Sequence, residues 1–332
     1  MRRRRSVTDL PALAAAVRRG EHRAVARAIS LIEAAAPERD RLMELLAAEG
    51  EGSWVIGVTG PPGAGKSTLI GRLIVEIRKR GEKVAVLAVD PTSPFSGGAL
   101  LGDRVRMNLH GTDPEVFIRS MASAGHVGGL SPAAVETVTV LQAAGYNNLI
   151  VESVGVGQSE VGILTLADLV AVVLQPGSGD EIQALKAGVM EIADLFVINK
   201  ADIAGVEALE RSLRDIVEGS NRSTLRPGIR RTVATSGVGV GELYAAFAER
   251  FERLSANGEL RDRREARLVG AFEEMAVDLF REWLRRRGLT DPRGGVPFGM
   301  LREELMRLLN GLDEELADDE KAEDDGKGGE AT

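Results

Sequence analysis

Residues 60–68 read GPPGAGKST. Gly60 and Gly65 bracket four residues, and Lys66 and Ser67 follow at once. A triphosphate needs many donors in a small volume. Glycines let successive backbone N–H groups turn inward, and a helix N-terminus adds partial positive charge. In this pattern Lys66 reaches the β- and γ-phosphates and the Ser67 hydroxyl ligates Mg²⁺. The expected phosphate cradle is therefore Gly60, Pro61, Pro62, Gly63, Ala64, Gly65, Lys66, Ser67 and Thr68. WVIGVT before it reads as a strand and STLIGRLIVEIRKR after it as a helix, the context that separates this motif from a chance Gly-rich turn. Pro61 stands where some related loops carry a second lysine, which argues against a dimer that inserts that lysine into its partner's site.

The base is addressed by NKAD at 199–202, which closes the apolar run LFVI. A carboxylate at Asp202 accepts two hydrogen bonds, from guanine N1–H and N2–H₂. Adenine has no such donor pair, so a mismatched base leaves a polar group unpaired. Asn199 either bonds the guanine edge or holds the loop, and the Lys200 stem lies along the ring. ATSG at 234–237, with Ser236 and Gly237, is placed to close over the base. GTP and GDP are the expected nucleotides.

Carboxylates for Mg²⁺ come next. LIVESVGVGQSE at 149–160 is a strand that ends in Glu152, and Gly155 follows. A strand-tip carboxylate opposite the cradle holds Mg²⁺ directly or through water, and Gly155 lets a backbone N–H approach the γ-phosphate. Asp90 ends an earlier strand, and Asp103 follows in the Gly/Ser/Pro-rich stretch after it. Two acids there suit a loop that orders around Mg²⁺ and phosphate.

The elements that must position these residues are legible as patterns. Residues 1–52 have helical apolar spacing and form a helical N-terminal extension. Over 53–256, Val/Ile/Leu runs at 54–59, 84–90, 148–153, 169–175, 195–200 and 230–236 alternate with helical patterns. Runs without polar alternation are buried on both faces, so the fold class is α/β, a P-loop NTPase with a mainly parallel sheet between helices. Residues 257–311 turn helical. Leu268, Val269, Phe272, Met275, Ala276, Leu279, Phe280, Trp283 and Leu284 make one apolar face. It must pack on the chain's own core or on a second copy.

Composition excludes several classes. The chain has 332 residues, no cysteine and three histidines, His22, His110 and His126, at no ligand spacing. Disulfides, thiolate metal sites and thiol catalysis are out. The net charge of −8 lies in residues 312–332, where ten acids face two lysines; this stretch reads as an acidic disordered tail. The neutral body gives no reason to expect a nucleic-acid partner. No run approaches the ~18 apolar residues of a membrane helix, so no membrane partner is expected either. The Arg-rich start lacks an export signal's apolar stretch, and the expected location is the cytoplasm.

Together GPPGAGKST, VAVLAVDPTS, GGALLGDRVRM, FIRS, VESVGVGQSE, PGSGDEIQALKAGVMEIAD and NKAD resemble the MeaB/ArgK family, GTPase chaperones associated with methylmalonyl-CoA mutase. The resemblance covers about residues 10–285. It implies GTP, Mg²⁺, a helical N-terminal extension and a C-terminal dimerisation arm, hence a homodimer. By position it assigns Lys66 and Ser67 to phosphate and Mg²⁺, Asp90, Asp103 and Glu152 to the Mg²⁺ and switch network, and Asn199, Lys200 and Asp202 to guanine. It also makes 176–186 a switch that signals to the mutase, with Asp180 and Lys186 as contacts. Ser153 replaces the family's usual Thr, and PFSGG replaces an arginine-bearing string.

The implied activity is GTP hydrolysis that gates adenosylcobalamin loading and protection on methylmalonyl-CoA mutase or a related acyl-CoA mutase. Lys66 and Mg²⁺ supply charge; Gln158, or Glu152 through water, positions the nucleophile. Slow intrinsic turnover, raised by the partner, is expected. The chain carries no Asp-x-His-x-x-Gly string for cobalamin. The alternative is an ArgK-type P-loop kinase acting on a transport protein or small molecule, against which NKAD argues. A nickel-delivery GTPase conflicts with the missing cysteines, and a dead-site binding module with the presence of Lys66, Ser67 and Glu152.

Overall fold

The Val/Ile/Leu runs form strands because a parallel sheet buries both of its faces. In the computed structural model the described residues are 9–46, 52–90, 113–122, 132–153, 166–177, 193–219, 226–287 and 306. The chain divides into two compact units, 1–274 and 275–332.

In the first unit three helices lead in: α1 (Leu10–Arg18), α2 (His22–Glu33) and α3 (Arg39–Leu46). Asp9 caps α1, its carboxylate accepting from Ala12 N–H at 3.1 Å. Strand β1 (Trp54–Thr59) runs into helix α4 (Lys66–Lys79). Then come β2 (Val84–Asp90), β3 (Val116–Ala122), α5 (Pro132–Ala143), β4 (Asn148–Ser153), β5 (Leu169–Leu174) and β6 (Leu195–Ile198). Helix α6 (Val206–Gly219), β7 (Gly228–Arg231), α7 (Val240–Ala256) and α8 (Glu259–Arg286) complete the described elements.

The seven strands pair in the order β3-β2-β4-β1-β5-β6-β7, every pair parallel. From β1 the chain steps out to β2 and β3, returns to insert β4 between β2 and β1, and then crosses to β5, β6 and β7 on the other side. The order reverses at β1, and ligands of such sheets bind beyond the strand carboxyl ends at that point. The cradle after β1 sits there.

Each of β1 to β6 feeds two cores. Ile56 and Val58 of β1, with Leu169, Ala171 and Val173 of β5, pack under α4 and α7. Val170, Val172 and Leu174 of β5, with Phe196 and Ile198 of β6, pack on α6. On the same face as the α6 core, β2, β3 and β4 share a core with α1, α2, α3 and α5, including Val25, Ile29, Leu42 and Tyr146. The N-terminal helices are thus built into the sheet's own core.

Two elements differ from the sequence reading. The last strand is Gly228–Arg231 rather than 230–236, because Thr232 and Ala234 are drawn off toward Asn199. Strand β3 was absent from the six runs; its central Arg119 breaks the apolar run because it lies at a sheet edge and bonds Ala26 O, Ser30 Oγ and Glu33 of α2.

At the amino ends of the strands, Asp168 and Asp194 are fully buried. Asp168 accepts from Val55 N–H (3.0 Å), from both ends of the Arg264 fork (3.1 and 2.9 Å) and from Arg267 (2.6 Å). Asp194 accepts from Val170 N–H (2.9 Å), from Arg263 twice (2.9 Å each) and from Arg250 (3.1 Å). Arg263, Arg264 and Arg267 all belong to α8, so these pairs pin its first turns beneath the sheet. Just beyond, Leu268, Val269 and Phe272 are exposed. In the second unit Met275, Val277 and Leu279 continue α8 with exposed side chains, and Phe280 stacks on Trp283 at 5.9 Å.

Candidate functional site

The phosphate loop is shaped by glycine where nothing else fits. Gly60 has φ +136°, and a Cβ there would stand 2.0 Å from Val173 O. Gly65, at the N-cap of α4, has φ +90°, and a Cβ would stand 2.4 Å from Asn199 Nδ2. Both combine a left-handed backbone with direct contact, so only glycine serves. The Lys66 ammonium, largely buried, donates to Gly60 O at 2.6 Å and Pro61 O at 3.2 Å. Its charge therefore lies at the loop's mouth, where the α4 amide ends also point. Pro61 and Ala64 are buried, while Pro62, Gly63 and Thr68 are exposed on the loop's rim.

Beside it, Ser67 Oγ donates to Glu152 Oε1 at 2.8 Å. Glu152, the last residue but one of β4, is 1% exposed, and the register that pairs Val58 with Glu152 places it next to the cradle. A hydroxyl and a buried carboxylate in contact make an oxygen donor set of the hard kind that Mg²⁺ takes. The residues present fit that ion. Ser153 donates to Thr59 Oγ1 at 2.9 Å within the sheet, so its hydroxyl ties β4 to β1.

Asn199 is the junction of the site. It is 1% exposed. Its Nδ2 donates to Ala64 O of the phosphate loop at 2.8 Å. Its Oδ1 accepts from Thr232 Oγ1 and from Ala234 N–H, both at 3.1 Å. Of the two roles open in the sequence, the geometry is that of holding the loop. The next residue, Lys200, has φ +55°, and its ammonium donates to Gln175 Oε1 at 2.6 Å. That left-handed backbone turns the chain so that Ala201 N–H bonds Thr232 O at 3.0 Å, and Asp202 follows with an exposed side chain. Ser236 and Gly237 form the turn beyond, both amides donating to Val233 O.

Asp90 ends β2, in line with Glu152's strand; its side chain lies outside the described residues. So do Asp103, Gly155, Gln158, Asp180 and Lys186. One residue was missed in the sequence: Arg72 of α4, whose guanidinium donates to Ala234 O at 3.0 Å and to Thr235 O. Nothing marks it there, since an arginine on the polar face of a helix is ordinary.

The architecture and this geometry can be set beside known proteins. A family model described as "Methylmalonyl Co-A mutase-associated GTPase MeaB" matches residues 25–287. A Pyrococcus abyssi protein that carries a GTPase designation is 47% identical over 256 residues, 76% of this chain and 79% of that one. The Escherichia coli protein named GTPase ArgK is 35% identical over 280 residues, 81% of either chain. The crystal structure of a LAO/AO transport system kinase matches with a TM-score of 0.68 and 27% identity, over 92% of this chain and 99% of that one. With the P-loop fold and the family model in agreement over most of its length, the chain belongs to the MeaB family of P-loop GTPases.

Proposed function

We propose that this GTPase binds GTP with Mg²⁺ at the carboxyl ends of β1, β4 and β6 and uses its hydrolysis to gate adenosylcobalamin loading and protection on methylmalonyl-CoA mutase or a related acyl-CoA mutase. The observation that carries the nucleotide half is the Asn199 junction, which makes the phosphate loop and the base-reading strand one hydrogen-bonded unit. The partner half draws support from the family description, which names mutase association.

In this reading Lys66 exchanges its carbonyl partners for the β- and γ-phosphate oxygens and stabilises charge that grows there in transfer. Ser67 and Glu152 would hold Mg²⁺, which would supply positive charge to the phosphates. Asp202 accepts from guanine N1–H and N2–H₂, with the Lys200 stem beneath the ring and Ser236 and Gly237 closing the loop over it. Gln158 or Glu152 orients the attacking water, Gly155 offers its amide to the γ-phosphate, and Asp90 and Asp103 complete the metal and switch network. Asp180 and Lys186 carry the signal to the mutase. Two copies pair through the apolar face of α8, which the first unit leaves exposed at Leu268, Val269 and Phe272.

The test is phosphate release from GTP by the purified chain, alone and with added mutase. A rise of tenfold or more with methylmalonyl-CoA mutase is expected. A rate indifferent to that mutase removes it as partner and turns the search to other acyl-CoA mutases. A second reading, a kinase, draws on the name of the solved LAO/AO transport system kinase. Transfer of γ-phosphate label to a protein or small-molecule acceptor would favour it; label found only in inorganic phosphate favours hydrolysis.

A further inference from the structure

Arg72 reaches from the phosphate-loop helix to the loop at 234–237, which Asn199 also holds. Its Nε donates to Ala234 O at 3.0 Å and its Nη2 to Thr235 O. Ala234 is therefore gripped twice, by its N–H through Asn199 Oδ1 (3.1 Å) and by its C=O through Arg72. Both grips lead back to the phosphate loop, one through Ala64 O and one through α4 itself.

The consequence follows from peptide geometry. In a trans peptide the C=O of one residue and the N–H of the next point in opposite directions. Holding Ala234 O against α4 therefore aims Thr235 N–H away from α4. The other amides of the loop are already committed: Ala234's to Asn199, and those of Ser236 and Gly237 to Val233 O at 3.1 and 2.8 Å. Among the described residues Thr235 N–H is the one amide of 234–237 with no acceptor, on an exposed residue.

We infer that Arg72 is a positioning residue for base selection: by fixing the 234–235 peptide it presents Thr235 N–H as a donor to a carbonyl on the bound base. The inference rests on the guanine reading above. Guanine carries an acceptor oxygen at its six position, whereas adenine carries an amino donor there. A fixed N–H therefore attracts one base and repels the other. The Arg72 side chain is exposed, so its truncation leaves the packed core intact.

The test compares the full chain with Arg72→Ala by equilibrium competition for bound GDP, using GTP, ATP and inorganic tripolyphosphate. In the variant, GTP affinity should fall about tenfold, the effect of one lost hydrogen bond's worth of discrimination. ATP and tripolyphosphate should change by less than about twofold, so the GTP-over-ATP ratio drops about tenfold. Arg72→Lys, which keeps a charged donor on the same helix position, should recover part of that ratio. A ratio unchanged in Arg72→Ala overturns the inference while leaving the guanine reading intact. So does a fall in tripolyphosphate affinity in step with GTP, which would make Arg72 a support of the phosphate loop. A wild-type chain without preference for GTP over ATP overturns the guanine reading and this inference together.

Discussion

The two ends of the sheet handle buried charge in opposite ways. At the amino ends, Asp168 and Asp194 are fully buried and receive four arginines and two backbone amides. At the carboxyl ends, Lys66 and Glu152 are also buried, and there Lys66 donates to the Gly60 and Pro61 carbonyls of the phosphate loop while Glu152 accepts from the Ser67 hydroxyl. Charge paired with charge at close range resists exchange. An ammonium that donates to loop carbonyls can move to phosphate oxygens that offer more. One end is built as an anchor for α8, and the other is the proposed nucleotide site.

That contrast can be broken by mutation, and the largest effect belongs to the carboxyl end. Lys66→Ala should lower the single-turnover rate of GTP hydrolysis by about 100- to 1000-fold, since a charge aimed at the developing phosphate charge is lost. Its melting temperature should not fall. A variant that unfolds instead would make Lys66 an anchor like the opposite end.

Asp168→Asn should do the reverse. Leaving Arg264 and Arg267 without their carboxylate costs about 3–5 kcal/mol of stability, as for other broken buried pairs, and urea unfolding would read it. GTP affinity should stay within about twofold. Loss of GTP binding in a still-folded Asp168→Asn chain would show that the two ends are coupled.

Asn199→Ala falls between. It leaves Ala64 O, Thr232 Oγ1 and Ala234 N–H without their partner. The expected loss is about 1–3 kcal/mol in unfolding, together with about tenfold in GDP affinity by titration. A stability loss with unchanged nucleotide affinity would contradict its place as the junction.

The smallest effect is back at the amino end. The Tyr244 hydroxyl lies 2.8 Å from Glu82 Oε2 and 3.0 Å from Asn148 Oδ1. Burial first, and then the hydrogen bond to Glu82, push its phenol well above the usual tyrosine range. The raised value means that stability from the neutral phenol is fully present below about pH 10, the unfolded value, and is lost as pH climbs toward the folded one. Tyr244→Phe should cost about 1 kcal/mol at neutral pH and flatten the decline in stability above pH 10. An alkaline decline identical in both chains would remove Tyr244 from its cause.

Much of the carboxyl end was legible in the sequence because its constraints are local. Gly60, Gly65, Lys66 and Ser67 are close in the chain, and the glycines are forced by left-handed backbone and by close approach, of the Val173 carbonyl at Gly60 and of the Asn199 side chain at Gly65. The runs at 54–59, 84–90 and 148–153 match β1, β2 and β4 because strands buried on both faces leave an unbroken apolar signature. The amino end was opaque for the opposite reason. Asp168 meets Arg264 and Arg267 across about a hundred positions, and neither an aspartate before a strand nor arginines on a helix announce a partner. Arg72 was hidden in the same way, its acceptors being backbone carbonyls 162 and 163 positions downstream. Edge strand β3 was missed because an edge tolerates Arg119, which a central strand would not.

The central claim is that the carboxyl end is a guanine-specific hydrolytic site. Its most direct test is the rate of phosphate release from GTP and from ATP, at equal saturating concentrations with Mg²⁺, by the purified wild-type chain and by Asp202→Ala. GTP turnover well above ATP turnover in the wild type, with the preference collapsing in the variant, is the predicted result. Equal turnover of both nucleotides by the wild type, or a preference that survives the loss of the Asp202 carboxylate, would contradict it.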